Sequence, residues 1–128
     1  MGDFYSLAGV IADVHATATD PANPKSDLAY APAAPKIVGT TRRVIKAMTA
    51  ERPLGEWNTL DLYCLGQTSV HVVNGRTMVA LSGLRHKVGE TEVPLTRGKV
   101  QLQSEAAEVF YRAIAIRPIR QMPADLML

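Results

Sequence analysis

The chain reads as an all-β sandwich. Three observations predict it: apolar and polar residues alternate with a period of two over several short runs, turn residues separate those runs, and no amphipathic helical stretch exceeds about two turns. Its 128 residues fit one domain, on a prior of ~100–200 residues per domain. With 47% hydrophobic and 20% charged residues, the composition supports a packed core and excludes a disordered chain.

The first run, Asp3 to His15, suits a strand or a short helix by pattern alone. From 16 to 41 the texture changes, with Pro21, Pro24, Pro32 and Pro35 among small and polar residues. Proline lacks a backbone donor and fixes φ, so this stretch reads as a long Pro/Ala-rich loop. Arg42 to Met48 is a short strand candidate. Glu56 to Leu65 alternates, with Leu60, Leu62 and Cys64 on one face and Trp57, Thr59, Asp61 and Tyr63 on the other. Ser69–Val73 and Arg76–Leu81 flank Asn74-Gly75, a pair that tolerates the positive φ of a type I′ hairpin turn. Residues 82–98 read as a charged, glycine-containing connection. Two last strands are expected, Lys99–Glu105 and Glu108–Arg117. The expected result is two packed antiparallel sheets burying Val70, Val72, Val100, Leu102, Val109 and Tyr111.

Charge and composition exclude several classes. The net charge is +2 and the isoelectric point about 8.9, with no Lys/Arg run, which argues against a nucleic-acid partner. No stretch approaches ~18 consecutive apolar residues, so no membrane span is expected. The chain opens without a charged-then-apolar signal peptide. The single cysteine, Cys64, rules out an intrachain disulfide. His15, His71 and His86 have no metal-ligand spacing and no Cys-x-x-Cys occurs, so no metal site is expected. The sequence names no cofactor. It has neither a Gly-rich phosphate loop nor a nucleophile elbow.

Lys99 to Glu105 is the run most suggestive of chemistry. If Val100 and Leu102 face the core, Lys99, Gln101, Gln103 and Glu105 line the opposite face. Two amides and a carboxylate suit sugar hydroxyls, which both donate and accept; a solvated outer face has the same pattern. Arg112 shares a face with Phe110, Ile114 and Ile116, so its charge needs a partner. Glu105 is the nearest candidate, either as a structural ion pair or as part of a site. Trp57, the only tryptophan, suits stacking on a sugar ring or a place in the core. Asp13 and His15 share a face if their run is a strand, and form a weaker candidate.

Pro53-Leu54-Gly55-Glu56-Trp57-Asn58-Thr59, Val73-Asn74-Gly75, Gly98 through Glu105 and Phe110-Tyr111-Arg112 together resemble the 3-keto-disaccharide hydrolase domain family over residues 53–118. The opening Gly2-Asp3-Phe4-Tyr5 resembles a mid-domain strand of that family. Ala106 stands where the family usually has Gly, and Ala113 where it usually has Asn. The resemblance implies a concanavalin-like jelly roll, here a partial one lacking the N-terminal strands, with its site on the concave face. It also implies a glycoside hydrolase-like activity on 3-keto-glucosides or disaccharides, with Glu105 and Arg112 as catalytic candidates and Gln103, Gln101, Trp57 and Lys46 around the sugar. A non-catalytic carbohydrate-binding or assembly sandwich is the alternative. Unpaired sheet edges would make a homo-oligomer, and the family likeness is compatible with a secreted or periplasmic setting.

Overall fold

The structure is a computed structural model and describes residues 1–126. It is all-β apart from one 3₁₀ turn, Ala124–Leu126. Strands β1 (Ile11–Ala18), β2 (Leu28–Tyr30), β3 (Lys36–Thr40), β4 (Val44–Ile45), β5 (Leu60–Leu65), β6 (Thr68–Val73), β7 (Arg76–Val88) and β8 (Thr91–Pro94) form one curled sheet. The main path runs β4-β2-β1-β7-β6-β5, with β3 on β1 and β8 on β7. All pairs are antiparallel except β2 with β4. The fold is consistent with a jelly-roll sandwich. The expected layering arises because a single sheet bends back on itself rather than from two separate sheets.

The curl follows from β1. Its residues Ile11–His15 pair with β7 on one side and β3 on the other, while Ala16–Ala18 pair with β2. Register shifts beside Asp13 mark bulges, which bend a strand and raise its twist. The β2–β4 wing thereby folds over β7. Between them lies the main core: Ala12, Val14 and Ala16 from β1, Leu28 and Tyr30 from β2, Val44, Phe4, and Val79, Leu81 and Leu84 from β7. A second cluster sets Val70 and Val72 of β6 under Leu126, with Tyr63 and Met122 alongside.

The Asn74-Gly75 hairpin is as expected, with φ of 49° and 77° joining Val73 to Arg76. Several other readings need correction. The 16–41 stretch holds the end of β1 and all of β2 and β3; Pro21, Pro24 and Pro32 lie in turns and Pro35 just before β3, all outside the strands, where no ladder donor is required. Strand β7 does not stop at Leu81 but continues to Val88 through Gly83, whose φ is 55°. Of Arg42–Met48 only Val44–Ile45 is a strand.

The largest correction concerns the end of the chain. Neither Lys99–Glu105 nor Glu108–Arg117 forms a strand. Of the six residues expected to be buried, Val70 and Val72 are, at 0% and 2% exposure, whereas Val100, Leu102, Val109 and Tyr111 are exposed. The backbone shows why alternation fails. In the second run Ala113 has φ of 53°, and a left-handed residue inside a run breaks the two-residue period; Ala106, at 56°, lies between the two runs. No helix of the described residues is long and apolar enough to cross a membrane, a statement that leaves β-barrels aside.

Candidate functional site

Strand β1 alternates, so Ala12, Val14 and Ala16 enter the core while Asp13 and His15 stand on the opposite face. Antiparallel register sets Asp13 opposite Ser82 of β7 and His15 opposite Lys36 of β3. These side chains, with Tyr30, Pro32 and Ala80, line a cleft of about 180 Å³. That is below the ~300–1,000 Å³ of sites that enclose a drug-sized ligand, and suits one ring held at an open mouth.

The cleft has one fixed anion. Asp13 accepts from the Gly39 N–H at 2.9 Å and from Arg85 Nη1 at 2.9 Å. Burial pushes the Asp13 carboxyl up, but those two bonds outweigh it and hold it below its ordinary value. Arg85 is held in turn by Glu92 Oε2 at 2.6 Å and the Gly83 carbonyl at 2.6 Å. Gly83 is required here: a Cβ at this position would lie 2.5 Å from Asp13 Oδ2, and φ is positive. The Asp13–Arg85 pair is thus clamped by backbone on both sides and shapes the wall.

The group with free capacity is His15. Its Nδ1 lies 2.7 Å from the Ala34 carbonyl oxygen, so Nδ1–H donates there and the neutral ring carries its lone pair on Nε2. Nε2 has no partner among the described residues. Lys36 stands one strand away, and burial pushes the Tyr30 hydroxyl's pKa up, leaving it protonated at neutral pH. Base, cation and hydroxyls therefore meet at one opening. Asp13 and His15 were legible from their spacing. Tyr30, Lys36, Ser82 and Arg85 were not, because only register brings β2, β3 and β7 beside β1.

The residues nominated from sequence lie elsewhere. Trp57 is 44% exposed, and the Arg112 guanidinium stacks over its ring at 4.0 Å from the centroid. Tyr111 Oη donates to the Gln103 carbonyl at 2.7 Å. Gln101, Gln103 and Glu105 are exposed on the segment after β8. Glu105 makes no ion pair with Arg112 among the described residues; the left-handed turn at Ala106 and the lack of a hairpin hold them apart. Lys46 Nζ donates to Glu51 at 2.5 Å, and its own N–H donates to Asp3 at 3.0 Å. That contact with Lys46, together with the Met1 ammonium, holds Glu51 down to about 2. Arg43 joins Asp3 and Asp27 in the same region at 2.5 and 3.3 Å. His71 is a sheet residue whose Nδ1 meets the Gly2 carbonyl at 3.0 Å, and burial lowers its pKa.

The family model of the 3-keto-alpha-glucoside-1,2-lyase-like domain matches residues 2–117. The chain belongs to that family. It is therefore a carbohydrate-related domain, and the match extends the likeness from 53–118 back to Gly2, across β1 and its cleft. No curated protein and no solved structure matches the chain.

Proposed function

We propose that this 3-keto-glucoside-lyase-like domain cleaves the glycosidic bond of 3-keto-glucosides at the β1–β3–β7 cleft, with His15 as the proton-accepting base. The observation that carries the reading is the His15 imidazole, fixed by Ala34 at Nδ1 and open at Nε2, in a cleft shared with Lys36 and Tyr30. A ketone at the third sugar carbon acidifies the hydrogen on the second. Nε2 takes that proton, the C–H electrons form the C1–C2 double bond, and the anomeric C–O bond breaks. The departing oxygen takes a proton from Tyr30 or water. The Lys36 ammonium steadies the charge gathering on the ketone oxygen. Water adding to the unsaturated product completes a net hydrolysis.

Turnover of a chromogenic 3-keto-glucoside by the full chain tests the proposal. His15→Asn should lower kcat by ~10²–10⁴-fold with an unchanged thermal melt. No turnover by the wild type, or equal turnover by both, would overturn it.

Trp57 favours a second reading. An exposed indole carrying a stacked guanidinium is a surface platform, and such a platform serves a non-catalytic sugar-binding domain. Sugar binding lost in Trp57→Ala but kept in His15→Asn, without wild-type turnover, would decide for it.

A further inference from the structure

A second cleft lies on the other side of the β7–β8 ribbon. Arg85 turns to Asp13 and the His15 face, so His86, the next residue of β7, stands on the opposite face. Leu84 is on that face too and enters the main core. His86 pairs with Val93 of β8. Just beyond, the Leu95 N–H donates to the Leu84 carbonyl at 2.9 Å, which pins the chain as it leaves β8. His86, Val93, Pro94, Leu95, Thr96 and Arg97 line a cleft of about 410 Å³. It is larger than the first cleft and falls within the ~300–1,000 Å³ of ligand sites.

We propose that this cleft binds an acidic sugar, a hexuronate unit, by its carboxylate. Three observations support this. First, the lining holds a cation and no acid. Arg97 is exposed and joins no ion pair among the described residues. Glu92, beside Val93, is taken by Arg85 at 2.6 Å. Second, His86 Nδ1 is sealed from solvent and has no partner among the described residues. That leaves Nε2 as the ring nitrogen able to reach the cleft. Orphaned buried N–H groups are rarer than orphaned acceptors, so Nδ1 holds the lone pair and Nε2 the proton. His86 therefore offers a donor beside the Arg97 guanidinium and the Thr96 hydroxyl.

Third, the backbone selects the kind of anion. A phosphate site gathers several main-chain N–H groups. Here Pro94 has none, and that of Leu95 is taken by Leu84. A carboxylate needs only the two parallel N–H bonds of one guanidinium. Val93 and Pro94 supply apolar surface for the C–H face of a ring, and the Thr96 hydroxyl can both donate to and accept from ring hydroxyls. The sugar part of the ligand rests on the family membership, and the acid part on the cleft. Neither depends on His15.

Titration of the full chain with methyl β-glucuronide, methyl β-glucoside and inorganic phosphate, followed by amide and imidazole NMR signals, tests the proposal. The glucuronide should shift the His86 imidazole and the amides of residues 95–97 saturably. The neutral glucoside and the phosphate should each bind at least about tenfold more weakly, the loss expected when a charged hydrogen bond or its geometry is missing. Arg97→Gln should weaken glucuronide binding by ~10–100-fold on the same ground, with an unchanged thermal melt because the side chain is exposed. His86→Phe should weaken it as well. Equal binding of glucuronide and glucoside, phosphate binding as tight as glucuronide, undiminished binding in Arg97→Gln, or shifts confined to the His15 cleft would each overturn the proposal. His15→Asn should leave the glucuronide titration unchanged. Absent turnover of a 3-keto-glucoside thus leaves this site standing, and absent glucuronide binding leaves the cleavage proposal standing.

Discussion

Between Ile11 and Pro94 the period-two runs meet partner strands, and their apolar faces close over Met78, Val79 and Leu81, all nearly inaccessible. Between Gly98 and Arg117 the same period yields exposed chain, with Phe110 at 70% and Ile116 at 84%. Propensity does not separate the two regions, since both are rich in β-branched and aromatic residues. A strand becomes stable when its edge is paired and one face is covered, and alternation provides for the second only. The charges differ likewise. Those of the sheet region are tied into pairs such as Asp13–Arg85 and Asp3–Arg43. The later segment is tied by the stack of Arg112 on Trp57 and the Tyr111 bond to Gln103.

The contrast breaks most visibly under truncation. Met78→Ala removes a fully buried side chain and should cost ~2–5 kcal/mol. Leu102→Ala should cost about 1 kcal/mol or less, because that side chain is already about half exposed. Urea midpoints of the two variants measure this, and equal losses would erase the distinction between the regions.

Acid should act mainly through the sheet region. Burial lowers the His71 pKa, so below about 6.5 the unfolded chain takes a proton that the folded chain refuses. Asp3, Asp13 and Glu51 have folded values below their ordinary ones, Glu51 at about 2. For Asp3, as for Asp13, burial opposes the shift and hydrogen bonds outweigh it, here from Lys46 and Arg43. A depressed carboxylate stabilises above its unfolded pKa, and that contribution drains away as pH falls through the folded value. The thermal midpoint should therefore decline from pH 6.5 downward and steepen between about 4.5 and 2, with a shallower acid limb in Glu51→Gln. A flat profile over that range would count against the paired-charge account.

The smallest effect sharpens the comparison from the other side. Ala106 and Ala113 hold left-handed backbone that an alanine resists. Ala106→Gly and Ala113→Asn should each raise stability by about 0.5–1 kcal/mol in denaturant titration. A loss in either would mean that the segment adopts another backbone in solution.

The sequence by itself determined the all-β class, the Asn74-Gly75 hairpin, the alternation of β5 and β6, and the pairing of Asp13 with His15 on one face. These depend on neighbours a few residues apart, where turn chemistry and the two-residue period act directly, although the shared face of Asp13 and His15 held only once the structure made Ile11–Ala18 a strand rather than a helix. It pointed to the family through blocks between Pro53 and Arg112. Tertiary structure alone decided which alternating runs became strands, because hydrogen-bond partners lie far away in the chain. It also decided that Lys36 and Ser82 would face β1, since bulges beside Asp13 and the left-handed Gly83 set that register. Trp57 and Arg112 share a stack for the same reason. Local pattern gives each residue a face, and only the closed sheet gives that face a neighbour.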